Sequence, residues 1–172
     1  MAERGAGLAA NLSENTDISR MFWTLGFRGR PAVPLASVLG YLIDASSVGG
    51  GVFDLGSATF DMTRILTGQL DGYVDVGSRM IEEVPALQAE FEELGGGAVL
   101  NNSPYDLAAA VLCLEEAGAT VTDAFGDSLD RRPLLGSGRE YQMSCVAAAN
   151  AELHARMIEQ LERGFLRLRS AT

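Results

Sequence analysis

Lysine is absent from this 172-residue chain, and its thirteen basic residues are all arginine. A Schiff-base mechanism and a Walker-type phosphate loop both need a lysine, so both are excluded. Histidine occurs once, at His154, between the polar residues Glu152 and Arg156. A Ser-His-Asp or Cys-His hydrolase would have to use it, yet nothing near it resembles a nucleophile elbow, and its polar neighbours place it on the solvated side of the last helix. Histidine-based zinc sites fail on the same count, which leaves any metal hard and oxygen-ligated, Mg2+ or Ca2+. The two cysteines, Cys113 and Cys145, lie in apolar runs without metal-type spacing. They read as buried thiols in a reducing compartment in preference to a disulfide. No apolar run approaches the ~20 residues that span a bilayer, and the first residues lack a signal-type apolar stretch, so the expectation is a cytoplasmic protein with no membrane partner.

What is present is acidic and apolar. Twenty-three Asp and Glu leave a formal charge of −10, which repels phosphate backbones and anionic lipid and argues against a nucleic-acid partner. Apolar residues are 47% of the chain, enough for a globular core and too many for an acidic disordered tail. The length is that of one domain.

Along the chain, residues 1–12 are Gly- and Ala-rich without periodicity and read as a flexible arm. Over residues 13–30 Asn15 or Thr16 offers a cap for a short helix carrying Ile18, Met21, Phe22 and Leu25, which Gly26 and Gly29 then interrupt. Pro31 and Pro34 open a clearer helix, with Val33, Leu35, Val38, Leu39, Leu42 and Ile43 on one stripe. Short β-type runs then alternate with helical patterns: Val52-Phe53, a helix over 57–67, the run 70–76, a helix over 80–94, the run 98–100, a helix over 104–117, the runs 120–122 and 144–147, and a helix over 150–168. This alternation predicts an α/β domain, with helices on both faces of a sheet.

Two carboxylates stand out. Asp75 ends a predicted strand, and Asp106 begins a helix, where it can simply cap the first turn and favour the dipole. Strand carboxyl ends and helix amino ends along one sheet edge are also where α/β proteins bind ligands. Gly95-Gly96-Gly97 lacks dinucleotide-fingerprint spacing and reads as a helix cap followed by a loop.

Three ordered segments carry a resemblance. Residues 55–77, with Gly56-Ser57-Ala58, a helix ending at Gly68 and then Asp71-Gly72-Tyr73-Val74-Asp75-Val76-Gly77, resemble the G-[ST]-A-A and D-[AG]-Y-[YWF]-[ED]-x-G segment of the inositol monophosphatase-like phosphatases. Residues 105–123 resemble that family's W-D-x-A-A-G helix, E-A-G turn and V-T-D strand, and residues 146–155 its A-A-N strand-to-helix junction. The resemblance implies the C-terminal α/β half of that fold over residues 13–172, with a mixed sheet of about five strands. It implies that Asp106 ligates a catalytic Mg2+, that Asp75 accepts a hydroxyl of the substrate's alcohol moiety, and that Gly56, Ser57 and Ala58 contact substrate. A helix amino end after Gly56 suits an anion or polyol, and a metal at Asp106 would offset the negative field against a phosphate.

There are departures. The family's first half, with its metal-binding glutamate and D-P-[IL]-D-G-[ST] motif, has no counterpart here. Mg2+ is therefore expected only where that half is supplied, and the chain is expected to be inactive alone. Residues 78–103 form an insertion between Asp75 and Asp106, read as one amphipathic helix that either packs as a solvated edge element or covers the substrate mouth or a subunit contact. Phe53 stands where the family often has arginine. The function these residues imply is part of a Mg2+-dependent phosphomonoesterase for a sugar or polyol phosphate, partnered by a separate N-terminal half or by self-association. The alternative is a non-catalytic binding or assembly domain that keeps the fold without the metal cluster.

Overall fold

The computed structural model describes residues 10–133, 135–136 and 138–171. Strands β1 (Phe22–Leu25), β2 (Gly51–Phe53), β3 (Gly72–Asp75), β4 (Thr120–Thr122) and β5 (Cys145–Ala148) form one sheet in the order β2-β1-β3-β5-β4. β1 pairs in parallel with β2 and β3, and β5 runs antiparallel to both β3 and β4. The sheet is mixed and five-stranded, with helices on both faces.

Helices α1 (Ala32–Ser46) and α6 (Ala151–Ala171) pack together on one face. Their core holds Met21, Trp23, Leu39, Leu42, Met157, Leu161 and Phe165, and the Trp23 indole donates to Ser46 Oγ at 3.0 Å, so its one polar atom is satisfied in the interior. Gly164 lets the two helices touch, since a Cβ there would fall on the Val38 backbone of α1. Helices α2 (Ala58–Leu66) and α5 (Pro104–Glu116) cover the other face over a smaller core of Met62, Ile65, Tyr73, Leu107, Leu114 and Ala147.

Several elements differ from the sequence expectation. Residues 13–30 hold no α-helix: Asp17 caps a 3-10 turn (Ile18–Arg20), and β1 follows. The Phe-Trp-Thr sequence suits a pleated surface, where Trp23 and Thr24 are both buried between helix layers. The run 98–100 forms no strand. The insertion is two short helices, α3 (Gly77–Glu83) and α4 (Gln88–Leu94), joined by a 3-10 turn (Pro85–Leu87). Pro85 has no N–H to continue α3 and forces Val84 out of helical geometry, to φ −133°, ψ 78°. Ile81, Val84, Leu87 and Phe91 enter the larger core, whereas Leu94 is exposed.

Cys113 is exposed and Cys145 buried, so only one of the two thiols is interior. His154 is also interior: it follows Leu153 on the sheet side of α6 and shares a hydrogen bond with Thr122 Oγ1 at 2.9 Å. Burial lowers its pKa, which keeps the imidazole neutral. The expected arm falls on residues 1–12, of which 1–9 lie outside the described residues. Asn11 donates to the Leu66 carbonyl at 2.8 Å and Leu12 packs on the smaller core.

Candidate functional site

The loop after β1, the Gly56-Ser57-Ala58 turn, the end of β3, the returning limb of the insertion (98–103) and the start of α5 surround a cleft of about 510 Å³. Gly56 takes φ +82°, which only glycine adopts freely, and its N–H is held by Asp54 Oδ1 at 2.9 Å. The chain then turns into α2, with Ser57 Oγ capping the Phe60 N–H. Asp106 and Ser103 form a capping box at the start of α5, with the Ser103 N–H donating to Asp106 Oδ2 at 2.8 Å. Thr59 Oγ1 donates to the Asp106 carbonyl at 2.6 Å, which ties the two helix amino ends together across the cleft. Gly56, Ser57, Ala58 and Asp106 thus share one cavity.

Asp75 borders the same cavity but is fully engaged. Arg30 makes an ion pair with Oδ2, Asn102 Nδ2 donates to Oδ2 at 2.7 Å, and the Gly77 N–H donates to Oδ1 at 2.9 Å. Gly26 permits this crowding, because a Cβ there would lie 2.6 Å from Asp75 Oδ2. Arg30 also donates to the carbonyls of Arg28 and Leu100, and Asn102 to the Tyr73 hydroxyl at 2.9 Å. Burial and the neighbouring Asp75 charge hold the Tyr73 phenol and the Cys145 thiol well above their ordinary values, so neither ionises beside the cleft.

Asp61, in the first turn of α2, is buried with Oδ1 unpartnered. Burial, reinforced by the Asp54 charge, pushes its carboxyl up to about 7. Sequence reasoning missed Asp61, Arg30 and Asn102. Asp61 fell inside a helical pattern where a first-turn acid is ordinary. Arg30 and Asn102 reach Asp75 from 45 and 27 residues away, and no local pattern encodes that.

A model of the inositol monophosphatase family matches residues 7–164. The chain belongs to the inositol monophosphatase family. Solved structures with the same fold include an inositol monophosphatase from Anabaena (Nostoc) (21% identity, 90% of this chain and 49% of that one, TM-score 0.61). A second is the Thermotoga maritima IMPase (16% identity, 97% and 52%, TM-score 0.62), and a third is SuhB of Mycobacterium tuberculosis (20%, 90% and 46%, TM-score 0.59). This inositol monophosphatase-family chain spans about half the length of these proteins. No curated protein matches it.

Mg2+ is the metal that the family resemblance implies for this cleft. Asp54, Asp61 and Asp106 offer hard oxygen donors around the cleft, which is the right chemistry. Their arrangement is not a complete site: among the described residues no three His, Cys, Asp or Glu side chains cluster closely enough to hold a metal. One Asp106 oxygen is, moreover, held by the capping box. The described residues alone therefore do not make up a Mg2+ site.

Proposed function

We propose that this chain is the alcohol-side half of a Mg2+-dependent phosphomonoesterase acting on a sugar or polyol phosphate, with the remaining metal ligands supplied by a companion N-terminal half. The observation that carries this reading is the meeting of the Gly56-Ser57-Ala58 turn and Asp106 at two bridged helix amino ends on one cleft. In this role Asp106 is one metal ligand, Gly56 to Ala58 contact the substrate, and their helix amino ends favour its negative charge. The Arg30, Asn102 and Gly77 contacts occupy Asp75, so in this role its carboxylate holds the cleft wall in place and the Gly56-Ser57-Ala58 turn makes the substrate contacts.

Phosphate release from myo-inositol 1-phosphate with Mg2+ tests the reading. The isolated 172-residue chain should release none, and mixing with a companion half that carries the D-P-x-D-G-T motif should restore turnover. Activity from the chain alone would overturn the claim that it is half a site. No activity in the mixture, with complex formation demonstrated, would favour the second reading, a binding or assembly domain. The enclosed Asp75 carboxylate supports that second reading, since a group with three partners has little left for a substrate hydroxyl.

A further inference from the structure

The returning limb of the insertion is built into the cleft wall. Arg30 donates to the Leu100 carbonyl at 2.9 Å, Gln142 Nε2 to the Val99 carbonyl at 2.7 Å and the Met143 N–H to the Asn102 carbonyl at 2.9 Å, while the Asn102 side chain reaches Asp75 and Tyr73. Residues 99–102 are thus pinned from the loop after β1, from β3 and from the segment before β5. A limb held at so many points presents its remaining side chain, Asn101, in one orientation. Asn101 is only 7% exposed, yet its side chain makes no hydrogen bond among the described residues. Its Oδ1 is sealed against Gly77, where an added Cβ would collide with it and would lie 3.1 Å from Arg30 Nε. A carbonyl oxygen on the side of a guanidinium N–H is the favoured sense of the amide, and it leaves Nδ2 for the cleft that Asn101 borders. Gln142 is the converse case: Nε2 is used on the Val99 carbonyl, and Oε1 is left buried and unpartnered at the same cleft.

Buried polar groups nearly always find a partner, in the protein, in water or in a ligand. Of the seven buried side-chain atoms without one among the described residues, four belong to residues that border this cleft: Arg30, Asp61, Asn101 and Gln142. The unmet hydrogen-bonding capacity of the interior is therefore concentrated where a polar ligand would sit. The Asp75 side chain, by contrast, is 0% exposed and has its partners already. We propose that Asn101 and Gln142 take the place of Asp75 in recognising the ligand's hydroxyl groups, with Asn101 Nδ2 donating to one hydroxyl oxygen and Gln142 Oε1 accepting from another hydroxyl. The insertion then sets specificity for a polyol over an apolar alcohol. A donor and an acceptor side by side match neighbouring hydroxyls, which offer both roles. Two neutral amides also do this without adding to the field of a chain of net charge −10, which already opposes a phosphate ester. The class of ligand rests on the phosphatase reading; the choice of recognising residues rests on the cleft.

Turnover of myo-inositol 1-phosphate against cyclohexyl phosphate, the same ring without its hydroxyls, tests this in the 172-residue chain mixed with the companion half and Mg2+. The ratio of the two kcat/KM values should favour the inositol ester, and Asn101→Leu should lower that ratio roughly tenfold through a loss confined to the inositol ester. A merely structural role for Asn101 would lower both esters alike, leave the ratio unchanged and overturn the proposal while the phosphatase reading stands. Asn101→Ala supplies the same measurement should circular dichroism show that the leucine variant does not fold. If the assembled mixture turns over neither ester, the phosphatase reading fails, and the chain alone decides the proposal. Nuclear magnetic resonance titration with myo-inositol should then shift the Asn101 side-chain amide signal, identified by its loss in Asn101→Leu, and titration with cyclohexanol should not. No shift, or an equal shift with both, overturns it.

Discussion

The two faces of the sheet are finished to different degrees. Over β1 and β3, α1 and α6 bury the larger core, and α6 turns Glu152, Arg156, Glu159, Arg163 and Arg167 outward. That face ends in water. On the other face α2 and α5 bury a smaller core, and α5 turns apolar groups outward. A layer that is apolar on both sides is built to be covered, and the same face carries the cleft. The α1/α6 side therefore supplies stability, and the α2/α5 side supplies the surfaces on which the chain can act.

Substitutions in the cores test this division most strongly. Phe165→Ala empties the α6 side and removes one of the two rings against which the buried Arg79 guanidinium stacks, at 4.0 Å from Phe165 and 4.4 Å from Phe125. We expect a loss of about 3–5 kcal/mol in urea unfolding. Leu114→Ala on the α5 side should cost about 2–3 kcal/mol, and a reversed order would break the comparison. Gly164→Ala drives a methyl group into the α1 backbone and should cost about 3 kcal/mol, with the midpoint of thermal unfolding falling accordingly.

Asp61 and His154, both buried, sharpen the comparison through pH. Asp61 on α2 holds its proton up to about 7, so folding favours the acid form, and stability falls as pH rises from the unfolded carboxylate value near 3.8 to about 7. Asp61→Asn should flatten that slope and stabilise the protein above pH 7 by about 1–2 kcal/mol, less than the full shift because water at the cleft screens the charge. His154 on α6 behaves oppositely. Its folded pKa lies below the unfolded value of 6.5, so its contribution is complete above 6.5 and is lost as pH falls through the folded value. Chemical denaturation at a series of pH values resolves the two, since His154→Gln should remove only the acid-side loss. The smallest effect belongs to the solvated exterior: Arg156→Ala breaks the exposed pair with Glu152, 2.7 Å long, and should cost about 0.3–0.5 kcal/mol, vanishing in high salt.

Elements with a local signature were legible in the sequence. Ser57 before an apolar-periodic stretch, Pro31 at the entry to α1 and Ser103-Pro104 before α5 announce helix starts, and the structure has them there. The Asp-Gly-Tyr-Val-Asp run gave β3, and with it the edge where the cleft lies. What was not legible depends on partners far along the chain. β1 has no strand signature of its own, because burial between two helix layers erases the alternation that marks a half-exposed strand. His154 lies between polar neighbours in sequence, but a helix turns about 100° per residue, and the residue after the buried Leu153 faces β4. The insertion's apolar positions are visible in the sequence, and Pro85 divides them between two short helices. Asp75 could be located from its strand, whereas the engagement of its carboxylate follows from Arg30 and Asn102, which only the fold brings near.

The Arg30–Asp75 pair also limits how this cleft can change over evolutionary time. Both groups are withdrawn from water, so losing either one strands the other's charge, at a cost of about 3–5 kcal/mol. Replacing both at once by apolar residues of similar volume would cost little. A lineage that freed Asp75 by single steps would have to cross that barrier, and it would also release the Leu100 carbonyl that Arg30 anchors. Residues 30, 75 and 100–102 are therefore expected to vary as one unit among close relatives of this chain, while the rest of the cleft wall drifts independently.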